Sequence, residues 1–123
     1  MATFDSIDDV KIGTIFSDSF NGMSDFYEVI DKTKKSVTLR KIKWETCAPD
    51  SDADFDPTYR TTHICLDKNG NPVPELNWKK EEIIYRKMAI KLKSGKIAFK
   101  GPTYGGFMGI VSDKYRKMQF YWG

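Results

Sequence analysis

The sequence predicts a mainly β protein of one domain, a small antiparallel barrel or strongly bent sheet with at most one or two short helices. Three observations predict it. About seven or eight short segments alternate apolar and polar residues at period two. Turn dipeptides punctuate those segments at close intervals. The length, 123 residues, is that of a single domain, and residues 1–123 contain neither an internal repeat nor a low-complexity linker.

The elements follow in chain order. Residues 1–11 read as a leader or a short helical turn; Ser6 suits the cap of such a turn, with Asp8 and Asp9 near its start, where acids suit the dipole. From Ile12 to Phe20, the residues Ile12, Thr14, Phe16, Asp18 and Phe20 share one face, which predicts a strand with Gly13 near its start. Asn21-Gly22 marks a turn that tolerates positive φ. Ser24 to Asp31 predicts a second strand and Ser36 to Trp44 a third, joined through Thr33-Lys34-Lys35. Val37 and Leu39 lie on one face of the third strand, Ile42 and Trp44 on the other, and this change of phase predicts a bulge near Arg40-Lys41.

Pro49 and Pro57 bracket Asp50, Asp52, Asp54 and Asp56, so residues 45–59 read as an exposed acidic loop. Tyr59 to Leu66 suits a strand, and Asn69-Gly70-Asn71-Pro72 a turn. Helix and strand patterns overlap over residues 75–93. The preferred reading is a helical turn at Asn77–Glu82 followed by a strand over Ile83–Lys93. Ser94-Gly95 then closes a hairpin with Lys96–Lys100. Phe107–Ser112 and Met118–Trp122 complete the set. Strand number and spacing together suit an SH3-like or OB-like barrel.

Composition narrows the function classes. Hydrophobic residues make up 40% and aromatics 14%, enough for a folded core. No apolar run approaches the roughly 20 residues of a membrane span, and Met1–Val10 lacks a signal-peptide core, so a cytoplasmic chain without membrane partners is expected. Cys47 and Cys65, with His63 as the single histidine, have no metal-site spacing and read as two buried or half-buried thiols, not joined in a disulfide. The aspartates of 50–56 imitate the start of a calcium loop, but Phe55 and Thr61 stand where glycine and glutamate are required. His63 has no evident orienting partner, the serines lie in no nucleophile elbow, and Gly105-Gly106 lies in no phosphate loop. The expectation is therefore no enzyme, no metal and no cofactor.

Charge is segregated along the chain. Residues 1–31 carry net −6, 32–43 net +6, 44–56 net −5 and 79–100 net +6, within an overall +3. If the two basic stretches are neighbours in space they form one patch for phosphates or an acidic protein. Arg40, Lys41, Trp44, Arg86 and Lys91 are the candidates for contacting nucleic acid, since bases interleaved with aromatics hold single strands. Asp50, Asp52, Asp54, Asp56 and Trp122 are the candidates for contacting a protein partner, the acids toward a basic channel and the tryptophan as an anchor.

Ile12-Gly13-Thr14-Ile15-Phe16 to Phe20, Asp25-Phe26-Tyr27-Glu28-Val29, Ser36-Val37-Thr38-Leu39-Arg40-Lys41-Ile42, and Ile110-Val111-Ser112 through Tyr115 to Tyr121-Trp122-Gly123 together resemble a family of small bacteriophage and mobile-element proteins. That family joins an Asp-Phe-Tyr-x-Val strand to a Thr/Ser-Val-x-Leu-Arg-x-Ile strand and often ends in Trp-Asp-Gly; here Gly123 follows Trp122 directly. The likeness lies chiefly in the first 45 residues. It implies a mobile-element origin and no particular chemistry. In size and charge layout the chain also resembles phage anti-defence proteins, CRISPR–Cas inhibitors among them. The resulting expectation is a non-enzymatic inhibitor that occupies a host protein or ribonucleoprotein in the bacterial cytoplasm. The alternatives are a barrel that binds single-stranded nucleic acid directly and, third, a virion structural protein.

Overall fold

A short 3₁₀ turn at Ile7–Asp9 opens the chain, held by a reciprocal cap. The Asp8 backbone N–H donates to Ser6 Oγ and the Ser6 N–H to Asp9 Oδ2, each at 3.2 Å. The computed structural model describes residues 1–21, 23–47, 59–111 and 118–121. Its strands are β1 (Ile15–Phe20), β2 (Met23–Lys32), β3 (Ser36–Ile42), β4 (Trp44–Cys47), β5 (Tyr59–Ile64), β6 (Ile84–Met88), β7 (Ile90–Lys91), β8 (Ile97–Ala98), β9 (Gly109–Val111) and β10 (Met118–Tyr121).

Among the described residues the strands form three antiparallel sheets. The main sheet runs β6-β3-β2-β1-β9, a smaller one β10-β5-β4, and β7 pairs with β8. β6 and β9 are the edges of the main sheet and do not pair, so that sheet is open. The fold is mainly β with almost no helix, and among the described residues no helix is long and apolar enough to cross a membrane.

The main sheet is covered on both faces, at different places. Phe16 lies opposite Tyr27, and Val29 opposite Leu39. With Val37 they face Val10, Phe99 and Met108 in one cluster. The other face carries Ile15, Phe26 and Ile42, which pack with Ile64 and Val111. This arrangement explains the phase change along the third strand. Val37 and Leu39 serve one cluster and Ile42 the other, while β3 itself stays regular from Ser36 to Ile42. The irregularity lies in β2 instead, between Val29 and Asp31.

The N-terminus closes one side of the first cluster. Phe4 and Ile97 exchange backbone hydrogen bonds at 3.0 and 2.8 Å, and the Ala2 N–H donates to Met108 O at 2.9 Å. Phe4, Phe16 and Phe99 meet ring to ring at centroid distances of 5.7–6.2 Å. Lys32 Nζ binds the carbonyl of Val10 at 2.7 Å, with those of Ile7 and Asp8 at 3.4 Å, and so ties β2 to the capped turn.

The segment expected as one strand over Ile83–Lys93 is divided between sheets. β6 joins β3, and beyond Ala89 the chain passes to β7. The expected helical turn over Asn77–Glu82 is the tip of a hairpin, because Leu76 bridges Glu82 and the Asn77 N–H donates to Glu81 O. The acidic loop 50–56 and Trp122 lie outside the described residues.

Candidate interaction surface

The two basic stretches are neighbours: β3 pairs with β6 along its length, from Ser36 opposite Met88 to Arg40 opposite Ile84. Their charges have different fates. Arg40 reaches Glu28 at 2.5 Å and Glu82 at 3.4 Å. Lys41 reaches Glu75 at 3.0 Å and Asp25 at 3.9 Å. Burial works against both cations, but the hydrogen bonds and charges of these carboxylates outweigh it and raise both pKa values. The Trp44 indole N–H donates to Asp25 Oδ1 at 3.1 Å. Three of the expected nucleic-acid contacts are thus engaged within the fold. Arg86 and Lys91 are exposed, and Lys91 lines an open cleft with Lys34, Lys35 and Met88.

Asp25 belongs to a polar centre that sequence reading did not single out. Asp18 sits directly across from it in the β1–β2 ladder and is 1% exposed. Asp18 Oδ2 accepts the backbone N–H groups of Thr103 and Tyr104 at 2.8 and 2.9 Å. Gly101 allows this approach, for a Cβ there would lie 2.0 Å from Asp18 Cγ. Tyr27 hydrogen-bonds the Thr103 hydroxyl. Burial pushes the Tyr27 hydroxyl well above its ordinary range; the Thr103 bond opposes this and the Asp25, Tyr85 and Asp18 charges add to it. These contacts pin the 101–106 loop to the sheet. Among the described residues no three His, Cys, Asp or Glu side chains converge to hold a metal.

The feature most clearly turned outward is the hairpin tip. The Asn77 side chain accepts the N–H groups of Lys79 and Glu81 at 2.8 and 3.1 Å, and the Lys80 N–H closes the turn on Asn77 O. Lys80 stands at φ 63°, a left-handed conformation usually given to glycine. Trp78, between these anchors, is 87% exposed. Lys79 Nζ lies 4.9 Å from the Trp78 ring centroid.

No family model, curated protein or solved structure matches the chain.

Five exposed large apolar side chains, Leu76, Trp78, Ile84, Tyr85 and Met88, fall within one hairpin and the strand it leads into, while others, such as Ile12, Phe20, Met23 and Ile110, lie elsewhere. Lys79, Lys80, Arg86 and Lys87 lie among them, with the exposed acids Glu81 and Glu82, and none of these four bases forms an ion pair among the described residues. The signal for this site was in the sequence: Asn77 followed by Trp78-Lys79-Lys80 sets a large aromatic in a turn of polar residues. Reading 75–93 as partly helical hid it.

Proposed function

We propose that this chain is a non-enzymatic, phage-encoded binding protein that inhibits a host defence complex of the CRISPR–Cas kind by occupying a protein or ribonucleoprotein surface. The observation that carries the reading is Trp78, an indole 87% exposed on a turn fixed by Asn77. A large aromatic held out on a rigid turn costs solvation in the free protein and serves as an anchor when a partner covers it. Lys80 supports the same reading. The turn keeps a lysine where glycine relieves strain, and strain of this sort gathers at working sites. The reading takes the sheet as strongly bent in the SH3-like or OB-like manner and assigns the chain to the cytoplasm of the host bacterium.

Affinity capture from bacterial lysate, with and without nuclease, tests it. Wild-type protein is expected to retain a protein partner after nuclease treatment, and Trp78→Ala to lose it while keeping its circular dichroism spectrum. Equal retention by both proteins, or loss of every protein on nuclease treatment, would overturn the reading.

The pairing of β3 with β6 favours a second reading, direct binding of single-stranded nucleic acid. Its contacts would be Arg86, Lys91 and Trp78, since Arg40, Lys41 and Trp44 have partners within the fold. Capture that is lost on nuclease treatment and falls steeply with salt would favour it.

A further inference from the structure

We infer that β6 accepts an acidic, extended segment of a partner protein as a sixth strand of the main sheet. The inference rests on the binding reading above and specifies its partner chemistry. β6 is an edge strand, and its hydrogen-bond phase is fixed at both ends. The Lys41 N–H donates to Ile83 O, and the Ala89 N–H donates to Lys35 O. In an antiparallel ladder Tyr85 and Lys87 therefore turn their backbone groups toward β3, as do Ile83 with its carbonyl and Ala89 with its N–H. Ile84, Arg86 and Met88 turn theirs outward, where no backbone group among the described residues meets them.

Such an edge offers N–H and C=O groups in alternation. A phosphate backbone can accept from the first but has nothing to donate to the second, whereas a peptide strand satisfies both. The side chains then choose among peptides. Ile84 and Met88 are 44% and 56% exposed on one face, with Arg86 between them; Tyr85 and Lys87 project from the other. Lysines are common guards on edge strands, but a guarded edge does not usually keep three large apolar side chains in water. A second copy of β6 is a poor occupant, because the antiparallel register centred on this strand sets Arg86 against Arg86. Cross-strand pairing in the antiparallel sense favours an incoming order apolar–acidic–acidic–apolar–apolar, opposite Met88, Lys87, Arg86, Tyr85 and Ile84 in turn.

Fluorescence anisotropy with a labelled, end-capped peptide Thr-Val-Glu-Glu-Val-Val-Thr tests this on the full chain. Binding is expected to fall at least about tenfold when lysines replace the two glutamates, and again when the residues facing β6 are N-methylated. The double variant Arg86→Glu, Lys87→Glu, with its fold checked by circular dichroism, is expected to reverse the preference toward the lysine peptide. No binding, indifference to the glutamate-to-lysine exchange, or indifference to N-methylation would each overturn the inference. So would an oligothymidine that binds and displaces the peptide, which would mark a phosphate surface instead. Lysate capture that survives nuclease while the peptide fails would leave the binding reading standing without this one. A peptide that binds while Trp78→Ala changes no capture would do the reverse.

Discussion

Asp18 and Asp25 face each other across the β1–β2 ladder, two buried carboxylates where like charges repel. Each is answered from a different direction. Thr103 and Tyr104 give Asp18 their backbone N–H groups, while Trp44 and Lys41 serve Asp25. Asp18→Ala is expected to destabilise the fold by about 2–3 kcal/mol, since it strands two donors that the loop has turned inward. Asp18→Asn, which keeps an acceptor and removes the repulsion, should cost distinctly less. Urea denaturation of the two variants checks the order.

Gly101 and Gly106 stand in the same loop and should respond oppositely to one methyl group. A Cβ at Gly101 would meet all three terminal atoms of the Asp18 carboxyl group at 2.0–2.3 Å, while at Gly106 it would meet nothing within 4 Å. Gly101→Ala is expected to cost about 3 kcal/mol, and Gly106→Ala to stay within about 0.5 kcal/mol of wild type. Equal melting temperatures for the two variants would contradict the close approach described here.

Alkaline stability follows from the same centre. Burial raises the hydroxyl pKa of Tyr27, and Tyr104 moves the same way through burial and the Asp25 and Asp18 charges. A tyrosine raised in the folded state ionises first in the unfolded chain. Its contribution is therefore complete below the unfolded value, near 10, and is lost as pH climbs from there toward the folded value. Lys41, also raised, acts in the same sense: its ion pairs are intact below the unfolded lysine value and lost as the ammonium deprotonates. The melting temperature is expected to fall from about pH 10 upward, and Tyr27→Phe to flatten that fall. A melting curve indifferent to pH in this range would refute the assignment.

Arg40 and Arg86 lie on neighbouring strands and separate folding from binding. Arg40→Glu places a carboxylate between Glu28 and Glu82, and a loss of about 2–3 kcal/mol is expected. Arg86→Glu, at an exposed position without an ion pair among the described residues, should change stability by less than about 0.5 kcal/mol. Thermal melts of the two variants decide it, and only the Arg86 variant is suited to binding tests.

Trp78→Ala should likewise leave the melting temperature within a degree or two, because an indole so exposed contributes little packing. Lys80→Gly is expected to stabilise by up to about 1 kcal/mol by relieving the left-handed backbone. Chemical denaturation reads both.

The meander was legible because its signals are local. Asn21 takes the positive φ that its turn dipeptide announced, Ser6 caps the turn it was expected to cap, and period-two patterning brought out β1 to β3. Sequence misled where burial changes sides. Ile42 looked out of phase only because a second apolar cluster, built with Ile64 and Val111, waits on the opposite face. The engagement of Arg40 and Lys41 was illegible because their partners are distant in sequence: Glu28 reaches Arg40 from β2, and Glu75 and Glu82 reach them from the two arms of the hairpin before β6. Trp78 was the reverse case, readable locally but masked by a helix-like spacing of Leu76, Lys80, Ile83 and Ile84.

The docking of Ala2 and Phe4 onto Met108 and Ile97 sets a timetable for biosynthesis. Ala2 and Phe4 are made long before the residues they bond to. At translation rates of about 5–20 residues per second, Phe4 waits on the order of 5–20 s for Ile97 to be made. During that interval Phe16 has neither Phe4 nor Phe99 beside it, and β3 has no β6. A nascent chain stalled before residue 97 should therefore be protease-sensitive throughout, and resistance should appear late and all at once.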